Sequence, residues 1–312
     1  MVVAAGRDGG QWAVDQAAML AIQNGATVTL VDAITPQSEF LEIAGPTGVE
    51  SHAEAVKTKV DHLERLASPL RNRGIHVDCH VLEGDLADKT VEKIVLFGHD
   101  LLVKLAEHPE GMTQHLFGTV GQRLIRKCPC PVWVIKSVPT PTLKKILVAI
   151  SPFPLEQRRH PMNVTMMEYA ASLTRENNSE LNVISVWPDL PMATRNEQST
   201  VKELQDEALE EIIQPFRHQL TELQTHFLEG DPGEAIIELV QSLDVDLLVL
   251  GTVCRSNTVF FSMGNTVEQV LQRVPCSVLA VKPDSLLSGV ARAAQERSRV
   301  VDGAHDPVSG FS

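Results

Sequence analysis

Apolar residues fall along this chain in two alternating rhythms. Short runs dense in valine, leucine and isoleucine occur at positions 2–5, 27–33, 75–82, 100–105 and 132–135. Such near-continuous apolar runs predict strands buried on both faces, as in a parallel sheet covered by helices. Between them the spacing lengthens to three and four residues. Val56, Val60, Leu63, Leu66, Ala67 and Leu70 mark one face of a helix over 51–73. Helices are also predicted over 12–24, 86–97 and 118–127, with Gly25 and Gly74 as stop signals. Strand and helix alternate, so the pattern predicts an α/β fold.

The second half repeats this plan at a fixed offset. Asp100-Leu101-Leu102-Val103 returns 146 residues later as Asp246-Leu247-Leu248-Val249. Leu82-Glu83-Gly84-Asp85 returns as Leu228-Glu229-Gly230-Asp231, Gly118 as Gly264, Pro129-Cys130 as Pro275-Cys276, and Lys136 as Lys282. A register held from a turn to a last strand predicts one α/β unit written twice. Strands are expected at 145–151, 181–187, 225–228, 246–250 and 277–281. Helices are expected at 162–176, 200–223, 233–243 and 264–273, with Pro215 kinking or dividing the second of them. The offset is lost where the first crossover, 152–161, is longer than its counterpart, a change that costs little in a surface loop. The expected domains are residues 1–138 and 139–284, joined through Pro139 and Pro141. A tail at 285–312 follows, with a short amphipathic helix over 286–301.

Composition narrows the function without naming it. The chain has 312 residues, 43% hydrophobic and 21% charged, as in a soluble globular protein of two domains. Acidic residues number 40 against 27 basic, a net charge of −13. That balance repels a phosphate backbone and argues against nucleic acid as a partner. Five cysteines, several inside apolar runs, suit reduced thiols in the cytoplasm better than a disulfide framework. The start lacks a charged region followed by an apolar block, and no run of about 18 apolar residues occurs. The expectation is a protein neither exported nor spanning a membrane.

One stretch holds the main chemical interest. Leu250-Gly251-Thr252-Val253-Cys254 leaves a buried strand, passes a polar and aromatic loop with Phe260-Phe261, and reaches Met263-Gly264-Asn265-Thr266 at a helix start. Ligands of open α/β sheets bind outside the carboxyl ends of strands. Helix N-termini offer unpaired N–H groups to anions. The plainer alternative is that Gly264 and Asn265 only cap a helix. Other candidates weaken on inspection. Cys128-Pro129-Cys130 lacks CxxC spacing and reads as buried structural thiols. His80 and His226 are repeat counterparts that suggest a shared ligand site, or two partly buried structural histidines. His52-Ala53-Glu54 lacks the Pro-Cys-x-x-Cys a zinc deaminase needs. The Gly-rich turn at 6–10 is a strand-to-helix turn rather than a dinucleotide fingerprint. Neither a Walker A loop nor a nucleophile elbow occurs. No catalytic or metal-binding set emerges.

The stretch from Val249 through Gly251 and Cys254 to Gly264-Asn265-Thr266-Val267-Glu268-Gln269-Val270, with Val281-Lys282-Pro283-Asp284, resembles the universal stress protein family in its tandem, E-type form. That family's signature is glycine, two residues, glycine, nine residues, glycine, then Ser or Thr. Arg126-Lys127-Cys128-Pro129 and Pro131-Val132-Trp133 extend the resemblance to the first half. The resemblance implies two Rossmann-like, flavodoxin-like domains, each a five-stranded parallel sheet of order 3-2-1-4-5 with helices on both faces, packed as a pseudo-dimer. A further homodimer is left open. It also implies that some members bind ATP through the signature loop, aided by an Asp ending the first strand. Here that Asp position is Ser151, the second glycine is Cys254, and the Ser/Thr is Asn265 with Thr266 beside it. In the first half the equivalents of Gly251 and Cys254 are Leu105 and His108, Gly118-Thr119 persists, and Asp8-Gly9 is a candidate for the family's Asp-Gly.

The expected function is therefore a non-catalytic, cytoplasmic stress-response binding protein. It has at most one altered nucleotide site, formed by Ser151, Gly251, Thr252, Cys254, Gly264, Asn265 and Thr266. One alternative is an ATP- or AMP-binding module with slow hydrolysis in the second half. Another is a carrier of a different small ligand in the cleft between the halves.

Overall fold

The structure, a computed structural model, describes residues 2–4, 11–36, 48–106, 118–136, 143–152, 159–187, 195–252 and 265–283. The turn at 6–10 with Asp8-Gly9, His108, the linker prolines, Cys254, Phe260-Phe261, Gly264 and the tail lie outside these residues.

In the first half, strands β1 (Val2–Ala4), β2 (Val28–Ile34), β3 (Val77–Glu83), β4 (Leu102–Leu105) and β5 (Val132–Ile135) alternate with helices. The helices are α1 (Gln11–Asn24), α2 (Gly48–Asn72), α3 (Leu86–Phe97) and α4 (Gly118–Lys127). The second half has strands β6 (Lys145–Ala149), β7 (Glu180–Trp187), β8 (Leu223–Glu229), β9 (Leu247–Gly251) and β10 (Ser277–Val281). Its helices are α5 (Arg159–Asn177), α6 (Arg195–Arg217), α7 (Pro232–Leu243) and α8 (Asn265–Arg273). All ten strands join one sheet in the order β3-β2-β1-β4-β5-β10-β9-β6-β7-β8. Neighbours are parallel within each half, and only β5 and β10 meet antiparallel.

The β5–β10 register matches itself. Trp133 faces Leu279, its own repeat counterpart, while Val132 faces Ala280 and Val134 faces Val278. A strand paired with its copy across a twofold axis has this register. An apolar core lies on each face of the sheet, and each runs across the junction. One gathers residues such as Leu30, Leu63, Trp133, Ile146 and Val249. The other gathers Ile94, Leu124, Val134, Leu248 and Val278.

The repeated motifs owe their repetition to local geometry. Gly84 and Gly230 leave their strands at φ 117° and 125°, a region costly for residues with a Cβ. Asp85 and Asp231 then cap α3 and α7, accepting from the N–H groups of Asp88 and Glu234 at 3.0 and 2.9 Å. Asp246 accepts from the N–H groups of Lys144 and Lys145 at 2.7 and 2.9 Å, tying the start of β9 to that of β6.

Two expectations need correction. The helix expected over 200–223 ends at Arg217, and Leu223 already begins β8. The apolar pattern misled because Leu220 and Leu223 pack on the same core from a turn and a strand. Pro215 lies inside α6 near its end and does not divide it. For His80 and His226, the alternative of a shared ligand site is ruled out, because β3 and β8 are the opposite outer edges of the sheet.

Candidate functional site

Strand β9 lies between β10 and β6, and Leu247 to Leu250 are buried. Ala149 of β6 sits beside Leu250 of β9, which brings the chain leaving β6 at Ser151 next to the chain leaving β9 at Gly251. This is the carboxyl rim of the second half, where an open α/β sheet receives ligands. Ser151 is exposed, and its carbonyl accepts from buried Asn163 Nδ2 at 2.8 Å. Its position is held from α5, with the side chain left toward solvent.

Thr252 is engaged by the sheet. It is 3% exposed, and both its N–H (2.9 Å) and its Oγ1–H (3.1 Å) donate to the carbonyl of Val281. The corresponding backbone bond in the first half runs from Ala106 N–H to the Ile135 carbonyl at 2.7 Å. Both copies thus lock the end of the penultimate strand to the last one.

Gly251 meets methionines. A Cβ built on it would lie 2.6 Å from Met162 Cε and 3.2 Å from Met166 Sδ, both from α5. Met162 and Met166 are themselves buried. The space a signature glycine leaves open is filled by thioether side chains, which adapt readily to irregular gaps. Gly251→Ala should therefore cost about 1 kcal/mol as measured by thermal unfolding, because the group in its way is the free end of the Met162 side chain. An alanine that costs nothing would mean that the methionines do not press on this position.

Asn265 opens α8 and is exposed, while Thr266 is half-buried. Glu268 in the first turn suits the positive end of the helix and bonds Arg126 of α4 at 2.7 Å across the junction. Cys254 and Gly264 are outside the described residues, so Ser151, Gly251 and Thr252 are the site residues placed together at this rim. In the first half a side chain takes the place of the glycine. Leu105 is buried in the core where the second half has Gly251, and buried Lys104 donates to the Leu105 carbonyl at 3.0 Å.

Sequence reasoning missed Met162, Met166, Asn163 and Lys104. Only the run of methionines on α5 hinted at a filled gap. The described concavities lie elsewhere: one on the exposed face of α2 around Asp61 and Arg71, one between β3 and α3.

The Cys-Pro-Cys stretch is buried. Cys128 and Cys130 Sγ atoms lie 3.3 Å apart, and the Cys128 contact together with burial holds Cys130 well above its ordinary range. Burial pushes Cys276, the counterpart of Cys130, up to about 12. Cys130 and Cys276 are therefore protonated and poor nucleophiles. Lys282 reaches across from the end of β10 to the carbonyl of Ile125 on α4, another tie between the halves.

Among the described residues no helix is long and apolar enough to cross a membrane, and no group of metal-binding side chains converges. Comparison with known proteins agrees with the duplicated plan. The sequence profile described as the Universal stress protein family matches residues 1–136 and again 142–282. Universal stress protein E of Escherichia coli K12 is 28% identical over 224 residues, 68% of this chain and 70% of the relative. The Universal stress protein E homolog of Haemophilus influenzae is 26% identical over 245 residues, 75% of this chain and 77% of the relative. In fold, the chain is similar to the crystal structure of a functionally unknown protein from Pseudomonas aeruginosa PAO1. The TM-score is 0.73 at 21% identity, covering 95% of this chain and 97% of that one. With both halves matched, the chain belongs to the universal stress protein family, as two tandem copies of its domain.

Proposed function

We propose that this protein is a non-catalytic stress-response binding protein of the cytoplasm. In this reading its two halves, 1–138 and 139–284, act as a pseudo-dimer of two 3-2-1-4-5 sheets joined through β5 and β10. The second half keeps at most one altered nucleotide site, at Ser151, Gly251, Thr252, Cys254, Gly264, Asn265 and Thr266. The observation that carries this reading is the packing of Met162 and Met166 against Gly251, where a nucleotide-binding loop needs open backbone. Ser151 adds to it, because a hydroxyl replaces the carboxylate expected at the end of the first strand. No acid, base and nucleophile come together among the described side chains at this rim, so binding rather than turnover suits it.

Isothermal titration with ATP and AMP, with and without Mg²⁺, tests the reading. The unaltered chain should give no heat at roughly millimolar ligand. Met162→Ala/Cys254→Gly should gain measurable binding by reopening the rim. Micromolar binding by the unaltered chain would replace this reading with the nucleotide-module one. Phosphate release that scales with protein and vanishes on altering Gly264 would make it a slow hydrolase. A small molecule extracted from the purified protein and identified by mass spectrometry would favour the carrier reading.

A further inference from the structure

On the opposite rim, at the amino ends of the first-half strands, a cleft of about 420 Å³ opens between β3 and α3. Thr29, Asp78, His80, Lys93, Phe97 and His99 line it. We propose that this cleft binds a small zwitterion of the amino-acid type, its carboxylate on Lys93 and its ammonium on Asp78.

Lys93 carries the argument. The residue is 8% exposed, and its Nζ sits 4.3 Å from the centroid of the Phe97 ring. Asp78 is its electrostatic neighbour but lies beyond ion-pair distance, and its half-exposed carboxylate, 3.7 Å from His76 Nε2, stays open to a ligand. No ion pair to Lys93 is found among the described residues. Burying a cation without a counter-ion is costly, so a protein that keeps one there usually pairs it with something. Burial lowers the Lys93 pKa, the direction expected for an ammonium lacking a close anion.

The neighbouring imidazoles are also under-used. His99 Nε2 shares a 3.1 Å hydrogen bond with the Thr29 hydroxyl, while its Nδ1 is buried without a partner among the described residues. Burial brings His99 down to about 4, so the ring is neutral at pH 7 and can donate or accept. Burial also lowers His80. Among the described residues that line the cleft, the charges are then one ammonium and the carboxylates of Asp78 and Asp100. A dianion would meet both carboxylates, and a simple cation would meet Lys93. A molecule bearing one charge of each sign satisfies both sides. The exposed Phe97 ring, 68% accessible, stands at the mouth to cover an apolar side chain. The volume falls at the small end of ligand pockets.

The second half supplies the control. Sheet register aligns Thr29 with Asn182, because their partners Asp78 and Gln224 are repeat counterparts. There His226 is satisfied by Asn182 Oδ1 at 2.7 Å. Lys93, Phe97 and His99 are replaced by Leu239, Leu243 and Val245, which pack on the apolar core. The fold is thus complete with this place plugged, and the polar version in the first half serves no packing need.

Saturation-transfer NMR on the full chain with each standard amino acid tests the proposal. At least one should bind and shift the His80 and His99 ring resonances. Lys93→Leu should weaken it roughly tenfold or more, the worth of one charge-assisted contact. Lys93→Leu/His99→Val, which copies the second half and should fold, should abolish it. No binding by any amino acid overturns the proposal, as does binding that survives the double variant or is displaced by inorganic phosphate. Should that variant not fold, the histidine resonances of the unaltered chain decide the matter. None of these readouts involves Gly251 or ATP, so this cleft and the proposed function fail separately.

Discussion

Trp133→Ala should lower the unfolding free energy by about 3–5 kcal/mol, the usual cost of truncating a buried tryptophan. Trp133 is 1% exposed and heads the largest fully buried side chains. It lies on β5, opposite Leu279 of β10, inside the core that also holds Ile146 and Val249 of the second half. The loss should therefore be felt by both halves, and urea unfolding should remain one transition, shifted as a whole. A biphasic curve whose second-half transition stays in place would show that the junction does not couple them. Trp133→Phe should be much milder, about 1 kcal/mol. Its Nε1 has no hydrogen-bond partner among the described residues, so removing it relieves an unsatisfied buried N–H while most of the volume remains.

Lys59→Met should cost about 3 kcal/mol, while Asp32→Ser/Lys59→Gln should leave stability within about 1 kcal/mol of the parent. Asp32 on β2 is 4% exposed and meets Lys59 of α2 at 2.7 Å. Removing the lysine strands a buried carboxylate that, among the described residues, keeps the N–H of Ala33 as a donor at 2.8 Å. Lys59 is partly exposed, with 28% of its side chain accessible, which sets the estimate at the low end for a broken buried pair. The double change copies the second half. Asp32 pairs with Val81 and Ser185 with Phe227, positions 146 apart, so Ser185 is the counterpart of Asp32. Gln205, 146 residues after Lys59, donates to Ser185 Oγ at 2.9 Å. A neutral hydrogen bond thus does in one copy what an ion pair does in the other. Equal losses from single and double variants, read from urea midpoints, would refute that equivalence.

Much of the fold was legible in the chain. Near-continuous apolar runs such as 132–135 and 277–281 predict strands buried on both faces, and they coincide with β5 and β10. The repeated Gly-Asp at 84–85 and 230–231 is a local matter, a left-handed turn and a cap, so it could be read without any tertiary information. The end of α6 could not. Leu220 and Leu223 keep helical spacing past Arg217, and only the sheet decides that Leu223 pairs with Leu181.

The candidate site was legible in part. The place of Gly251 follows from its strand, and spacing alone located it. What fills the space above it was not legible, because Met162 lies 89 positions earlier and meets Gly251 only once α5 is laid on the sheet. Thr252 looked like a ligand group because a hydroxyl after a glycine is one in isolation. Its bond to Val281 makes it part of the sheet. Lys93 drew no notice, since one lysine on a helix is ordinarily solvated, and its burial away from any described ion-pair partner exists only in the folded chain.

By itself the sequence determined the class of fold, its duplication and the local caps, because each is written in residues that are neighbours or recur at a fixed spacing. The tertiary structure decided which strand joins the two copies, that Trp133 faces its own counterpart, that methionines cover Gly251, and that Lys93 is buried with no ion pair among the described residues. Those depend on contacts between distant segments, whose energies arise only when the sheet brings them within van der Waals or hydrogen-bond reach.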